Sequence, residues 1–307
     1  MTHRDDHQRR LNRRVFLGGT GRVAAGALAG CAMADAMLSI RMWAQPAAAA
    51  VAHAASTHVI EQLRTRFTFQ ISVDVATIAQ GLEVAGAALA GGVGIVEMGT
   101  PLLKNAGVAN VVPAFRKAFP DALLLADMKT MDGGAFEARA VYAGGGNILD
   151  FLALAGVDTA KAICAVRDEF RRTDATLARL VFADILVPHQ GPAAQAVAAA
   201  ERMLAAGVDG VGIHLQADAR RADPKLLEGS YLADLARSVF DRVGKTASVQ
   251  VVGGLTVAQA KGLAQAGLRG FVISGNLGQP DTRARYDLPR DEIRRHVADF
   301  IAAVSGV

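Results

Sequence analysis

Leu123-Leu124-Leu125-Ala126-Asp127-Met128-Lys129-Thr130-Met131-Asp132 decides how the rest of this sequence is read. Four apolar residues in a row predict a buried strand, and charge follows at once: an acid, an ammonium two residues on, and a second acid beyond it. About thirty residues earlier the same theme stands in another form, Gly94-Ile95-Val96-Glu97-Met98-Gly99-Thr100-Pro101. Charge gathered at the ends of strands this apolar is costly unless its members neutralise one another or hold a metal.

On either side, apolar runs recur at Phe69–Asp74, Gly92–Glu97, Leu123–Lys129, Ile148–Leu154, Leu180–Ile185, Val208–His214, Ser248–Gly253 and Gly270–Gly275, with Ala- and charge-rich helical stretches between them. Strands and helices in that alternation predict a single (β/α)8 barrel. Nearly every run ends on a polar residue or Gly: Asp74, Glu97, Asp127, Asp184, His214, Gly253, Gly275. The pocket of such a barrel lies at the C-terminal strand ends, so these positions are expected to converge. One isolated Asp at a strand end more often ties a loop; five polar ends on one rim make a site.

The chain has 307 residues, 51% of them hydrophobic and 5% aromatic, enough for one large core. Its formal net charge of +4 is local: residues 1–55 hold seven Arg and three acids, which leaves 26 basic and 26 acidic residues in the remainder. A near-neutral barrel makes nucleic acid an unexpected partner. The sequence therefore divides into a signal and linker at 1–55 and a catalytic barrel at 56–307. Within the first part, Arg13-Arg14-Val15-Phe16-Leu17, the apolar Gly/Ala-rich stretch from Val23 to Leu38 and the small-residue tail after Trp43 resemble a twin-arginine export signal. Use of the export translocon would put the barrel in the periplasm, and an unused signal would leave it in the cytoplasm. Leu28-Ala29-Gly30-Cys31 also resembles a lipobox, which would anchor the chain at Cys31. If Cys31 leaves with the signal, only Cys164 remains, in an apolar helix, and no intrachain disulfide can form.

Glu97 and Asp127, ending successive strands, are placed to bind a hard divalent cation through oxygen, and Mg2+ suits such a donor set. Scarce Cys and scattered His argue against zinc. Lys129, two residues past Asp127, shares its strand face. Surrounded by acids, its ammonium is expected to stay charged and to face an oxyanion developing on the substrate.

Asp127-Met128-Lys129-Thr130-Met131-Asp132 is the Asp-x-Lys-x-x-Asp motif of the orotidine 5′-phosphate decarboxylase suprafamily. With Val96-Glu97-Met98-Gly99-Thr100-Pro101 and Phe119-Pro120, the stretch from about Phe69 to Gly278 resembles the 3-hexulose-6-phosphate synthase and 3-keto-L-gulonate-6-phosphate decarboxylase branch. That resemblance implies Mg2+ on Glu97 and Asp127 with Asp74 beside them, and Lys129 facing an enediolate. It implies that Asp132 reaches toward the neighbouring subunit's site in a homodimer with shared active sites. Asp184 matches the acid of the fifth strand and His214 the proton-transfer His of the sixth. Gly253, Gly254, Gly275 and Asn276 match the last two turns, where backbone N–H groups hold the substrate phosphate. Glycine lets backbone amides approach an anion, which agrees with that assignment.

The implied chemistry is a metal-stabilised 1,2-enediolate, made by proton abstraction or by loss of CO2. Two departures tilt the reading toward an aldol lyase: the decarboxylase branch carries Arg where this chain has Ala217 and Asn276. The synthase branch's Thr-Gly-Tyr after the His is here Leu215-Gln216-Ala217, so decarboxylation of 3-keto-L-gulonate 6-phosphate or orotidine 5′-phosphate stays open, as does an exported barrel that binds sugar without catalysis. Arg220, Arg221, Asp223, Pro224 and Lys225 after the sixth strand form either a lid that supplies a cation or a solvated surface loop. Because ribulose 5-phosphate and formaldehyde are cytoplasmic, an exported enzyme invites another substrate, an unphosphorylated ketose or sugar acid.

Overall fold

Every apolar run becomes a strand. The strands are β1 (Thr68–Val73), β2 (Ile95–Met98), β3 (Leu123–Thr130), β4 (Ile148–Leu152), β5 (Leu180–Val187), β6 (Gly210–Leu215), β7 (Ser248–Val252) and β8 (Gly270–Ile273). In the computed structural model, which describes residues 55–307 apart from Ala175, Gln190, Gly229 and Thr282, they pair in chain order, all parallel. β8 returns to β1, with Thr68 opposite Gly270 and Ile71 opposite Ile273, and the barrel closes. Closure removes every sheet edge, and helices cover the outer face, so the strands carry apolar residues on both sides.

Helical segments fill the connections. They are α1 (residues 55–65), α2 (Ile78–Gly91), α3 (Thr100–Ala106), α4 (Val108–Ala118), α5 (Gly134–Ala143), α6 (Gly156–Thr173), α7 (Ala193–Ala205), α8 (Ala217–Ala222), α9 (Lys225–Glu228), α10 (Tyr231–Val243), α11 (Val257–Gln265) and α12 (Arg290–Ser305). Local sequence sets several of their ends. The Thr77 hydroxyl accepts from Gln80 N to start α2, and left-handed Gly92 ends it. Thr256 and Gln259 form a reciprocal capping box on α11. Cys164 lies buried in α6, as its apolar surroundings predict.

The barrel interior is layered. At the N-terminal end, Ile95, Leu125, Ile148, Leu180 and Phe182 pack with Leu63, Val59 and Ile60 of α1, which plugs the bottom. Above them the inward positions turn polar: Gln70, Ser72, Glu97, Asp127, Asp150, Asp184 and Gln250 are all buried. A polar layer over an apolar one directs the chemistry to the C-terminal rim. Among the described residues no helix is long and apolar enough to cross a membrane. The paired arginines and Cys31 lie outside the described residues.

Candidate active site

β1 and β2 deliver the first group of acids. Alternation along β1 turns Gln70 and Ser72 inward with Asp74 just past its end, and register sets Ser72 beside Glu97. Glu97 is buried and fully engaged: Gln70 Nε2 donates to Oε2 at 2.5 Å and the Ser72 hydroxyl lies 2.8 Å from Oε1. The same hydroxyl is 3.0 Å from Asp74 Oδ2. β3 brings Asp127, whose Oδ2 receives Lys129 Nζ at 2.5 Å and the Thr100 hydroxyl at 2.7 Å, while its buried Oδ1 has no hydrogen-bond partner among the described residues.

Lys129 reaches Asp127 by a route that strand alternation does not supply. The β3–β4 register shifts between Asp127 and Thr130, and Lys129 takes a left-handed φ of 47°. A non-glycine residue held there is strained, and the ion pair across the bulge is what the strain accompanies. Burial disfavours the ammonium, but Asp127, Asp184 and Glu97 together outweigh that, and its pKa rises above the ordinary lysine range. The expectation that it stays charged agrees with this geometry.

The acids show the opposite strain. Burial, then Asp127 and Asp74, push the Glu97 carboxyl well above its usual range, and Lys129 relieves this only in part. Asp74 is reached by solvent through the pocket, yet protein packs closely around it; that surround and Asp127 raise its pKa as well. Ligand oxygens of Asp74, Glu97 and Asp127 all lie within 4.8 Å of one another. Three carboxylates facing one ammonium leave negative charge uncompensated, and an unpartnered oxygen of Asp127 stands among them. Those residues fit a hard, oxygen-seeking divalent cation.

A second device stands on β5 and β6. His214 Nδ1 lies 2.6 Å from Asp184 Oδ2. Burial works against the Asp184 carboxylate, but His214 and Lys129 more than offset it, and its pKa falls below the usual value. An ionised carboxylate only accepts, so Nδ1 carries the proton toward Asp184, and His214 itself lines the cavity. Asp184 itself does not line that cavity; β5 runs three residues past it, to Val187, and it acts on the pocket through His214.

Asp150 was missed by the sequence reading, although it stands alone in the middle of the run Ile148–Leu154. A carboxyl oxygen of Asp150 lies within 4.8 Å of one on Asp184 and one on Asp127, and burial, then Asp184 and Asp127, raise its pKa well above the carboxylate range. Gln70, Ser72 and Thr100 were missed as well; the Gln70-x-Ser72-x-Asp74 alternation was the available signal. Tyr286, from the loop after β8, closes the mouth and donates its hydroxyl to Ser72 O.

The cavity measures about 450 Å³ and is lined by Asp74, Glu97, Asp127, Lys129, His214 and the turns at Gly253-Gly254 and Gly275-Asn276. Gly253 and Gly254 both have positive φ, 143° and 73°, which leaves their backbone bare. The Asn276 side-chain NH2 donates to Gly254 O and Gln279 O, each at 2.8 Å, so it braces the two turns and does not offer itself to a ligand. Asp132 stands apart from this cavity on the exposed rim, accepting from Gly133 N.

Comparison with known proteins places this arrangement. The curated 3-hexulose-6-phosphate synthase of Mycobacterium gastri is 39% identical over 90 residues, 29% of this chain and 42% of that protein. The chain spans less than half the length of the curated relatives it matches first. A crystal structure of 3-hexulose-6-phosphate synthase superposes with a TM-score of 0.61 at 25% identity, covering 76% of this chain and 99% of that one. A crystal structure of KGPDC from Streptococcus mutans shares the fold, with a TM-score of 0.61 at 20% identity over 77% of this chain and 97% of that one. The profile of the Orotidine 5'-phosphate decarboxylase / HUMPS family matches residues 68–288, from the first residue of β1 to the loop that carries Tyr286, and the chain belongs to that family.

Proposed function

We propose that this barrel is a Mg2+-dependent aldehyde-lyase of the 3-hexulose-6-phosphate synthase type, joining a ketose phosphate to an aldehyde through a 1,2-enediolate. One observation carries the reading: a single cavity is lined both by Lys129 held against Asp127 and by His214 held against Asp184. With Nδ1–H committed to Asp184, His214 presents Nε2 as the base that takes a proton from the carbon beside the ketose carbonyl. The electron pair left behind moves onto the carbonyl oxygen, where the Lys129 ammonium stabilises it. The enediolate carbon then attacks the aldehyde carbon, a C–C bond forms, and the new alkoxide takes the proton back from His214. Asp74, Glu97 and Asp127 would hold Mg2+, which when bound supplies positive charge for the substrate's oxygens. The Gly253, Gly254 and Gly275 amides would receive the phosphate.

The family's carboxy-lyases share the fold, so the test sets the two chemistries side by side. The full chain with Mg2+ is expected to consume ribulose 5-phosphate only when formaldehyde is present, and to stop when the metal is chelated. Release of CO2 from 3-keto-L-gulonate 6-phosphate without that aldol activity would move the barrel to the carboxy-lyase branch.

Two further proposals concern its setting. A homodimer with shared sites fits the rim around Asp132, where Met131 is 52% and Phe136 80% exposed; apolar side chains so placed favour a partner surface. Export fits the paired arginines at Arg13-Arg14 and would put the barrel outside the inner membrane.

A further inference from the structure

Arg220 is a cation held in the cavity wall. It sits on α8, six residues past His214; its neighbour Arg221 borders the same cavity but is exposed and already paired, with Asp218 at 2.7 Å. Among the described residues no carboxylate pairs with Arg220, and its buried Nε has no hydrogen-bond partner. Its anchor among the described residues is the β7 turn: Nη1 donates to Gly253 O at 2.6 Å. The guanidinium lies where a Cβ on residue 254 would stand, so only glycine at that position admits it. Burial and the nearby Arg221 charge both disfavour its protonated form, which marks it as uncompensated.

A planar fork of donors, half withdrawn from water and laid over two bare glycines, is built to meet an anion. Gly253 and Gly254 line the same corner, and Gly275 and Asn276 border it. The cavity is otherwise acidic around Asp74, Glu97 and Asp127, so this corner is where a negative group can enter without repulsion.

We propose that Arg220 selects the phosphorylated substrate: delivered from the β6 loop onto the β7 turn, it binds the phosphoryl group and discriminates a ketose phosphate from the free ketose. The assignment of that anion as the substrate's phosphate rests on the lyase reading given above; the anion site itself does not. Arg220 is thus a specificity residue supplied by an element other than the two turns that carry the amides. It also argues against the unphosphorylated substrate that export alone would suggest.

Titration calorimetry on the full chain at fixed ionic strength tests this without requiring turnover. Wild type is expected to bind inorganic phosphate and ribulose 5-phosphate, and Arg220→Gln to weaken both by about 10- to 100-fold, the usual range for one charge-assisted hydrogen-bonded contact. Free ribulose is expected to bind both proteins alike. Gly254→Ala keeps the charge but displaces the guanidinium, and is expected to weaken phosphate as well. Arg237→Gln, on the outer helix α10, controls for net charge and is expected to change nothing. Thermal melting without ligand checks that each variant folds. Phosphate binding of equal strength in wild type and Arg220→Gln would overturn the proposal, as would wild type failing to bind phosphate. Phosphate binding that depends on Arg220 in a protein lacking aldol activity would leave the anion site standing and remove only the lyase reading.

Discussion

His214 Nδ1 stands 2.6 Å from Asp184 Oδ2, across the β5–β6 pair in which Asp184 is opposite Gly212 and Leu186 is opposite His214. The contact fixes which imidazole nitrogen faces the carboxylate, so in the proposed reaction Asp184, which does not line the cavity, would orient the base. Asp184→Asn is expected to lower kcat by about 10²- to 10⁴-fold with KM for the ketose phosphate little changed, since the base is misoriented while the binding corner is intact. Steady-state kinetics on the variant check this; an equal loss in KM alone would assign Asp184 to binding.

Gly212 offers a gentler way to break the same pair. A Cβ there would collide with Asp184 Oδ1 and come within 3.5 Å of Gln250 Nε2. Gly212→Ala is expected to cost roughly 1–3 kcal/mol of stability through overpacking and to reduce kcat by pushing Asp184 off His214. Denaturant unfolding beside kinetics separates the two effects, and unaltered kcat in a destabilised variant would count against the coupling.

Glu97 carries a pH signature. Its folded-state pKa is raised, so without metal the folded state binds more protons than the unfolded chain above the ordinary carboxylate range. The penalty is absent below that range and grows as pH rises. Glu97→Gln removes it, so the metal-free variant is expected to melt above wild type by a margin that widens from about pH 5 to about pH 8. Mg2+ is expected to reverse the order, because only wild type gains from binding. Melting curves with and without Mg2+ read this directly; a margin flat with pH would show that Glu97 bears no such penalty.

Asp150 is expected to tolerate Asn. Burial, then Asp184 and Asp127, raise the pKa of its carboxyl well above the usual range, and Asn is a neutral polar side chain of the same shape. Asp150→Asn should match or exceed the wild-type melting temperature at about pH 8 and retain most of the activity, whereas Asp150→Leu, which sets an apolar side chain against the Asp184 and Asp127 carboxylates, should be less active. Thermal melts and kinetics on the pair check it.

The barrel was legible because its strands are continuous apolar runs, and parallel strands buried on both faces write themselves that way. The rim was legible for the same reason: Glu97, Asp127 and His214 interrupt or end such runs. Asp150 escaped because it sits in the interior of its run, with apolar residues continuing past it. Lys129 met Asp127 as expected but through a bulge and a left-handed backbone, which a period of two cannot foretell. The sequence left Arg220 and Arg221 equivalent, since neighbours on a short helix differ only in where the chain turns them. Tyr286 reaches Ser72 across 214 positions, a contact that no local pattern encodes.

At the heart of the proposed chemistry, a base and an ammonium together create and shelter a carbanion equivalent. Exchange of solvent deuterium into the carbon beside the carbonyl of ribulose 5-phosphate, followed by NMR with no aldehyde present, is its sharpest test. Wild type with Mg2+ is expected to exchange one hydrogen stereospecifically, with Lys129→Ala and His214→Ala each slower by about 10³-fold or more. A wild-type protein that binds ribulose 5-phosphate and leaves that hydrogen unexchanged would be incompatible with it.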